Sequence, residues 1–212
     1  MYDLDVVLRG LMRDVGTTLR PMGFRGSGGA WRLVTPEGAA VVQKQGSQSS
    51  AWDAKLFYLN TAVIPTAWWT WKYENAIPIT KASESDGIRV LEGRVECSHT
   101  DRHGHRGFAD RWRLTAGTDV DRLRSDLLAA VARAGSRLVD LLEPGCYIDE
   151  LLALPEKQWG HWQALVVLLA ARGPSPELDA ACVGLRKVSV DRPLAAGHVD
   201  RLVEMALARK SG

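Results

Sequence analysis

Three of the five histidines and one of the three cysteines of this chain lie in the stretch CSHTDRHGHR at 97–106. Imidazole and thiolate are ligands that Zn²⁺ prefers, and histidine is also the common acid and base near neutral pH. A zinc site needs three or four converging ligands, whereas the spacing C-x-H-x3-H-x-H matches no established zinc pattern. Three alternatives stay open: a metal site, a contact loop whose charge depends on pH, and a solvated polar loop, which the spacing favours.

Two predicted strands flank this stretch, and they belong to a larger, mostly antiparallel sheet. The alternation of Phe57, Leu59 and Val63 with other residues predicts a strand, and the Pro-Glu-Gly sequence at 36–38 predicts the turn of a hairpin before it. The glycine-rich segment 23–29 is expected to approach the sheet as flexible chain. The five predicted strands span 30–35, 39–45, 55–65, 87–97 and 107–115.

Helices are predicted before and after the sheet. Apolar residues spaced by three and four predict one helix from Leu4 to Met22, where a proline and a glycine end it, and another from Val120 to Leu141 after the capping sequence TDVD. Helices alone are predicted beyond these, at 148–154, 157–171, 177–187 and 197–209.

These elements predict an α+β fold, in which a five-stranded sheet is flanked by two long helices. We expect a sheet domain at 1–144 and a helical C-terminal extension, packed on it, at 145–212. The stretch 66–75 is rich in aromatic residues but shows neither strand alternation nor a helix cap. We therefore expect a structured excursion between strands there.

Composition and charge argue against several classes of protein. The 27 basic and 25 acidic side chains are interleaved and give a net charge of +2, so no field of one sign attracts nucleic acid or anionic lipid. The apolar run 164–171 is far shorter than the roughly 20 residues that cross a bilayer. Three widely spaced cysteines fit reduced thiols, and the acidic start of the chain is unlike a secretion signal. We expect a cytoplasmic protein.

No cofactor is expected from the motifs of the chain. It contains no G-x-x-x-x-G-K-[ST] loop, and the glycines at 23–29 lack the strand-then-helix context that a dinucleotide fingerprint requires.

A run of neutral polar residues leads to a family resemblance. The segment VVQKQGSQSSAWDAKLFYLNTAVI contains a Gln-x-Ser element at Gln45 and Ser47 and a Phe-x-x-Asn element at Phe57 and Asn60. With the preceding helix and Gly-Phe pair, it resembles the bacterial family catalogued as domain of unknown function 4304, over roughly residues 3–142. The excursion at 66–75 departs from the family pattern. The resemblance implies a fold and assigns no activity.

Three groups of residues are candidates for binding. The amides and hydroxyl of Gln45, Ser47 and Asn60 fall on or beside adjacent strands, where they form either a hydrogen-bonding surface or a solvated sheet edge. Adjacent tryptophans diverge and cannot fill one pocket, so the tryptophan-rich stretch is expected to leave a ring near solvent. The third group belongs to the histidine-rich loop. The last two groups are Trp68, Trp69 and Trp71, and His103, His105 and Arg106.

These features favour a non-enzymatic protein-binding module, with an immunity-type or genome-defence accessory protein as the example and a toxin as the example partner. The alternative is a metal-dependent or hydrolase-like enzyme that uses the loop at 97–106. A third hypothesis is a weak nucleic-acid binder, in which arginines beside Phe108 and Trp112 stack on bases, although Asp101 and Asp110 halve the charge. Nucleic acid is not the expected partner, and no membrane association is expected.

The spacing of the histidine-rich loop predicts that the protein purifies without stoichiometric metal, because a convincing fourth ligand is lacking. Elemental analysis after purification without chelator measures this directly. Roughly one zinc per chain, lost in the His103→Ala, His105→Ala double variant, would refute the prediction.

Overall fold

A computed structural model describes residues 3–88, 93–97, 111–191 and 196–208. Its helices are α1 (Leu4–Leu19), α2 (Thr66–Tyr73), α3 (Val120–Leu141), α4 (Cys146–Ala153), α5 (Trp159–Arg172), α6 (Pro176–Ser189) and α7 (Ala196–Ala208). Its strands are β1 (Arg25–Ser27), β2 (Ala30–Val34), β3 (Gly38–Gly46), β4 (Ala54–Pro65) and β5 (Trp112–Thr115).

The strands form one antiparallel sheet in the order β1-β2-β3-β4-β5, and with the helices they confirm the predicted α+β fold. Strand β4 is the longest, and its pairing with β3 runs from Gly38 opposite Pro65 to Gly46 opposite Phe57. The predicted turn at 36–38 is present, because Thr35 and Gly38 exchange backbone hydrogen bonds around it. Helices α1 and α3 flank the sheet as predicted.

Two predicted edges of the sheet differ from the structure. The segment expected to be a flexible approach contains β1, because Gly28 and Gly29, both at positive φ, form a two-residue hairpin turn between Ser27 and Ala30. The strand predicted at 87–97 is not a strand in its described part, where Arg94 makes only an isolated bridge to β4. Of the strand predicted at 107–115, the described part is β5.

The two faces of the sheet bury different side chains. The inner face packs against α1 and α3 through residues such as Val42, Phe57 and Leu59. Helix α1 approaches closely at Gly16, where a Cβ atom would lie 2.7 Å from the indole nitrogen of Trp31. On the outer face, α2 and the segment that follows it cover a second, smaller cluster, formed by Ala39, Val41, Ile64, Trp69 and Ala82. This cluster therefore occupies only part of the outer face of the sheet.

The predicted boundary near residue 144 falls in the turn between α3 and α4. Helix α5 is buried along 163–170 and contacts α2, α4, α6 and α7. One continuous cluster of buried residues contains side chains from both sides of the boundary. The apolar run 164–171 thus lies in a core helix, and among the described residues no helix is long and apolar enough to cross a membrane.

Burial on β4 predicts a large loss of stability when Leu59 or Phe57 is truncated. Both side chains are inaccessible on the inner face, so Leu59→Ala or Phe57→Ala should lower the free energy of unfolding by about 2–5 kcal/mol. Leu152→Ala removes the same atoms as Leu59→Ala from a side chain that is 38% exposed, and it should cost less than about 1 kcal/mol. Denaturant unfolding compares them, and equal losses in the two leucine variants would contradict the assigned register.

Candidate functional site at the polar end of the sheet

Two separate segments share the edge of the sheet beside β4. Arg94 forms a bridge to Asn60 and Val95 donates a backbone hydrogen bond of 2.8 Å to Leu59, while Trp112 of β5 pairs with Phe57. The contacts of these two segments with β4 thus lie on either side of Tyr58. The predicted site residues His103, His105 and Arg106 belong to the stretch 98–110, between the two segments in the chain, which lies outside the described residues.

The Tyr58 ring contacts two guanidinium groups. The Tyr58 ring is largely buried, and the centre of the Arg94 guanidinium is 4.0 Å from its centroid. The guanidinium of Arg111, which enters β5 from the other side, is 5.1 Å from the same centroid. Cation–π contacts of this kind place positive charge over an aromatic ring. Two cations, one from each segment beside β4, therefore contact one aromatic side chain.

Amide side chains continue the outer face next to Tyr58. Asn60 is buried, and its Nδ2 atom donates a hydrogen bond of 2.8 Å to Oε1 of Gln45. Gln43 pairs directly with Asn60 across the two strands, so their side chains share this face. The Oε1 atom of Gln43 is buried and has no hydrogen-bond partner among the described residues. A buried acceptor of this kind is stabilised by an incoming donor.

The predicted residue Ser47 lies in the loop between β3 and β4. Its backbone N–H donates to the carbonyl of Leu56 at 2.8 Å, and its hydroxyl accepts from the backbone of Ser49. Ser50 fixes the loop further, because its hydroxyl both donates to and accepts from the backbone of Leu56 at 3.0 Å. The structure thus brings Gln45 and Asn60 into contact and gives Ser47 a role in the loop beside them.

Trp52 is a surface feature that the sequence analysis missed. It lies in this same loop, and its side chain is 91% exposed. Backbone hydrogen bonds between Ala51 and Ala54 hold the turn on which it sits. A tryptophan among small polar residues, in the sequence GSQSSAWD, is the signal that would have found it, since a predicted loop provides no core for the ring.

The three tryptophans predicted as binding residues, Trp68, Trp69 and Trp71, lie on α2. The expected excursion is therefore a helix in the structure. Trp69 is buried against the outer face and donates its indole N–H to the carbonyl of Ile77 at 2.7 Å. Trp68 is half-buried, donates to the carbonyl of Asp86 at 3.0 Å, and has its ring centroid 4.8 Å from that of Trp71. Trp71 is also half-buried. These three rings do not form one continuous exposed patch.

A buried carboxylate holds the cover of the outer face in place. Asp86 accepts hydrogen bonds from the Lys72 ammonium at 2.7 Å, from the Tyr73 hydroxyl, and from both the backbone and the hydroxyl of Ser83. Burial by itself would raise the pKa of Asp86, but these hydrogen bonds outweigh it and hold that pKa well below its ordinary value. Burial would lower the pKa of Lys72, and its bonds to Asp86 and Tyr73 raise it overall. The polar groups of Lys72, Tyr73, Ser83 and Asp86 thus bond to one another, and we assign the network a role in stabilising the fold.

Among the residues that the structure describes, no three His, Cys, Asp or Glu side chains are grouped to hold a metal ion. Cys97, at the start of the undescribed connection, is half-buried. The side chains described at this end of the sheet are amides, guanidinium groups and aromatic rings, which donate and accept hydrogen bonds and make cation–π contacts.

The fold and this site define an α+β sheet domain with a helical C-terminal region. Residues 15–141, from within α1 to the end of α3, match the family model described as a domain of unknown function, DUF4304. The match covers more than half of the chain, so the chain belongs to this family, which confirms the resemblance found in the sequence. No curated protein and no solved structure matches the chain.

The Asp86 network predicts a pH-dependent contribution to stability. Asp86→Asn should lower the free energy of unfolding at pH 7 by roughly 1–3 kcal/mol, because buried donors lose a charged acceptor. Since the folded state lowers the pKa of Asp86, the carboxylate stabilises the fold fully above its unfolded pKa of about 3.9, and this contribution is lost progressively as the pH falls from there toward the lower pKa of the folded state. The difference between wild type and variant should shrink over that range in urea unfolding.

The matched control for this measurement is Asp53→Asn, in the exposed loop that contains Trp52. It should change the free energy of unfolding by less than about 0.5 kcal/mol at pH 7. A stability difference for Asp86→Asn that stays constant from neutral pH to pH 3 would show that the charge of Asp86 is not what stabilises the fold.

Proposed function

We propose that this protein is a non-enzymatic, cytoplasmic protein-binding module whose docking surface is the polar end of the sheet. An immunity-type or defence accessory protein of bacteria, with a toxin as its partner, is the role that this proposal covers. The observation that carries it is the 91% exposure of Trp52 on a loop fixed by hydrogen bonds, at the same end of the β3–β4 pair as Gln45 and Tyr58. The docking surface consists of the exposed Trp52 and Gln45 and the half-buried Arg94 and Arg111, which contact the buried ring of Tyr58.

An exposed tryptophan on a fixed loop has the properties of an interface anchor. Burying a tryptophan against a partner removes a large apolar area from water, whereas in the free protein the Trp52 ring contributes almost no buried area. The hydrogen bonds of Ser50 order the loop before a partner binds, so less conformational entropy is lost on association. Tryptophan and arginine are the residues in which interface binding energy concentrates.

The groups at this end of the sheet indicate the chemistry of the partner. Arg94 and Arg111 place two positive charges beside Tyr58, and Gln45 is an exposed amide. A complementary partner presents an apolar pocket for the Trp52 ring, a surface of negative potential and a polar group for the Gln45 amide. Such an arrangement of an apolar anchor with a polar rim is typical of protein interfaces.

The two alternative functions are less well supported by the described residues. In the nucleic-acid alternative, arginines beside Phe108 and Trp112 stack on bases, but the Trp112 ring is completely buried on the inner face and cannot contribute to such stacking. An enzyme built on the histidine-rich loop depends on residues at 98–106, which lie outside the described part of the chain. Neither alternative gains an observation of its own.

The proposal predicts that Trp52→Ala separates binding from stability. The melting temperature should stay within about 2 °C of wild type, because the exposed ring packs on little of the fold. Binding to a partner, identified by affinity purification and mass spectrometry and then titrated as a purified protein, should weaken by roughly thirtyfold or more. Trp68→Ala should behave in the opposite way, since its ring packs against the core.

Val183→Ala is the matched surface control, because Val183 is 66% exposed on α6, far from the docking surface in the fold. It should alter neither the melting temperature nor the affinity. Undiminished affinity in Trp52→Ala, with affinity lost in Val183→Ala instead, would place the interface on the helical region and overturn the proposal.

A further inference from the structure

A cavity that is separate from the polar end of the sheet lies between α2 and the start of α5. Its volume is about 250 Å³. One wall comes from α2 and the chain that follows it, and the other comes from the residue before α5 and the first turns of that helix. The lining residues are Trp68, Gly87, Ile88, Gln158, Gly160, His161 and Gln163.

The walls of this cavity are held by hydrogen bonds of their own. Trp68 is fixed to the backbone carbonyl of Asp86, and the Nδ1 atom of His161 accepts from the backbone of Gln158 at 3.2 Å. Gln163 is buried, with 6% of its surface exposed, and its Nε2 atom lies 2.8 Å from Nε2 of His198 on α7. Four elements thus meet at a shaped site that requires little ordering when a ligand enters.

The described lining residues include no carboxylate and no Lys or Arg side chain, and His161 is the one titratable side chain among them. A charged ligand would lose its hydration there without gaining a counter-charge. The oxygen of the Gln158 side chain accepts the backbone N–H of His161, and Nε2 of Gln163 is bonded to His198, so Gln158 retains its amide donor and Gln163 its carbonyl acceptor. Together these two groups match a ligand that carries one acceptor and one donor. The indole of Trp68 adds an apolar aromatic wall suited to a flat ring.

We propose that this cavity is a binding site for a small, uncharged, planar heterocycle with adjacent hydrogen-bond donor and acceptor groups, of the nucleobase or nicotinamide class. The cavity is slightly below the range typical of drug-sized ligands, so it takes one ring system and leaves any sugar or phosphate outside. This site goes beyond the proposed docking function, since Trp52 and the arginines of the docking surface take no part in it.

Gly160 provides a direct way to block the cavity without disturbing the protein. It lines the cavity near the start of α5, and a Cβ atom built on it meets no heavy atom within 4 Å. A larger side chain there enters open space, and replacing a helical glycine favours the helix. Gly10 in the middle of α1 is equally open and does not line this cavity. Gly160→Leu and Gly10→Leu are therefore a matched pair.

The experiment uses saturation-transfer NMR on the full chain, with adenine, uracil and nicotinamide as uncharged probes and benzoate and benzylamine as charged ones. We expect at least one uncharged probe to bind wild type and Gly10→Leu, and to bind Gly160→Leu at least about tenfold more weakly. The charged probes should bind wild type at least about tenfold more weakly than that probe. Circular dichroism checks that both variants are folded, and Gly160→Ala gives a milder block if the leucine variant is not.

A further arm compares the best free base with its nucleoside and nucleotide, which distinguishes a free heterocycle from a nucleotide as the source of the ring. Whichever of the three compounds binds best, its binding should be at least about tenfold weaker in Gly160→Leu than in wild type. Binding of no uncharged probe at about 10 mM, or equal binding to wild type and Gly160→Leu, would overturn the proposal. Neither result bears on Trp52→Ala, so failure here is distinguishable from failure of the docking function.

Discussion

Strand β4 is paired along both of its edges and packed on both of its faces, and the positions of the other elements follow from it. On one edge it pairs with β3 over the whole length of that strand, and on the other it pairs with β5 and with the segment around Arg94. Its inner face buries Phe57 and Leu59 against α1 and α3. Its outer face buries Ile64 against α2. A shift of one residue in its register would exchange these two sets of side chains.

The outer face of β4 also explains why one molecule carries two unlike surfaces. Toward Pro65, small and branched side chains accept the cover of α2, and the charged network of Asp86 fixes the segment that follows α2. Toward Tyr58, amides and guanidinium groups replace them. The backbone carbonyl of Asp86 also accepts a hydrogen bond from Trp68. Trp68 in turn lines the cavity beside α5, so the segment after α2 is connected to the helical region through this residue.

Some of this was predictable from local pattern, and the failures have identifiable physical causes. The three- and four-residue spacing of α1 and α3 reflects an amphipathic face, which a helix needs wherever it packs. The sequence does not predict the β1 hairpin, because neighbouring glycines are typical of flexible chain as well as of tight turns. Helix α2 was missed because it is short and has no side-chain cap, so it depends on the burial of Trp69 against the sheet. Tertiary burial there outweighs local preference.

By itself, the sequence determined the α+β class, the two flanking helices and the central strands, because each bears a periodic apolar pattern that only one secondary structure can bury. It also placed Gln45 and Asn60 on adjacent strands. Only the tertiary structure decided that their side chains bond, that Tyr58 contacts both Arg94 and Arg111, and that Trp52 rather than a tryptophan of α2 is the exposed one. Those facts depend on contacts between residues distant in the chain, and local spacing carries no information about which surface another element will cover.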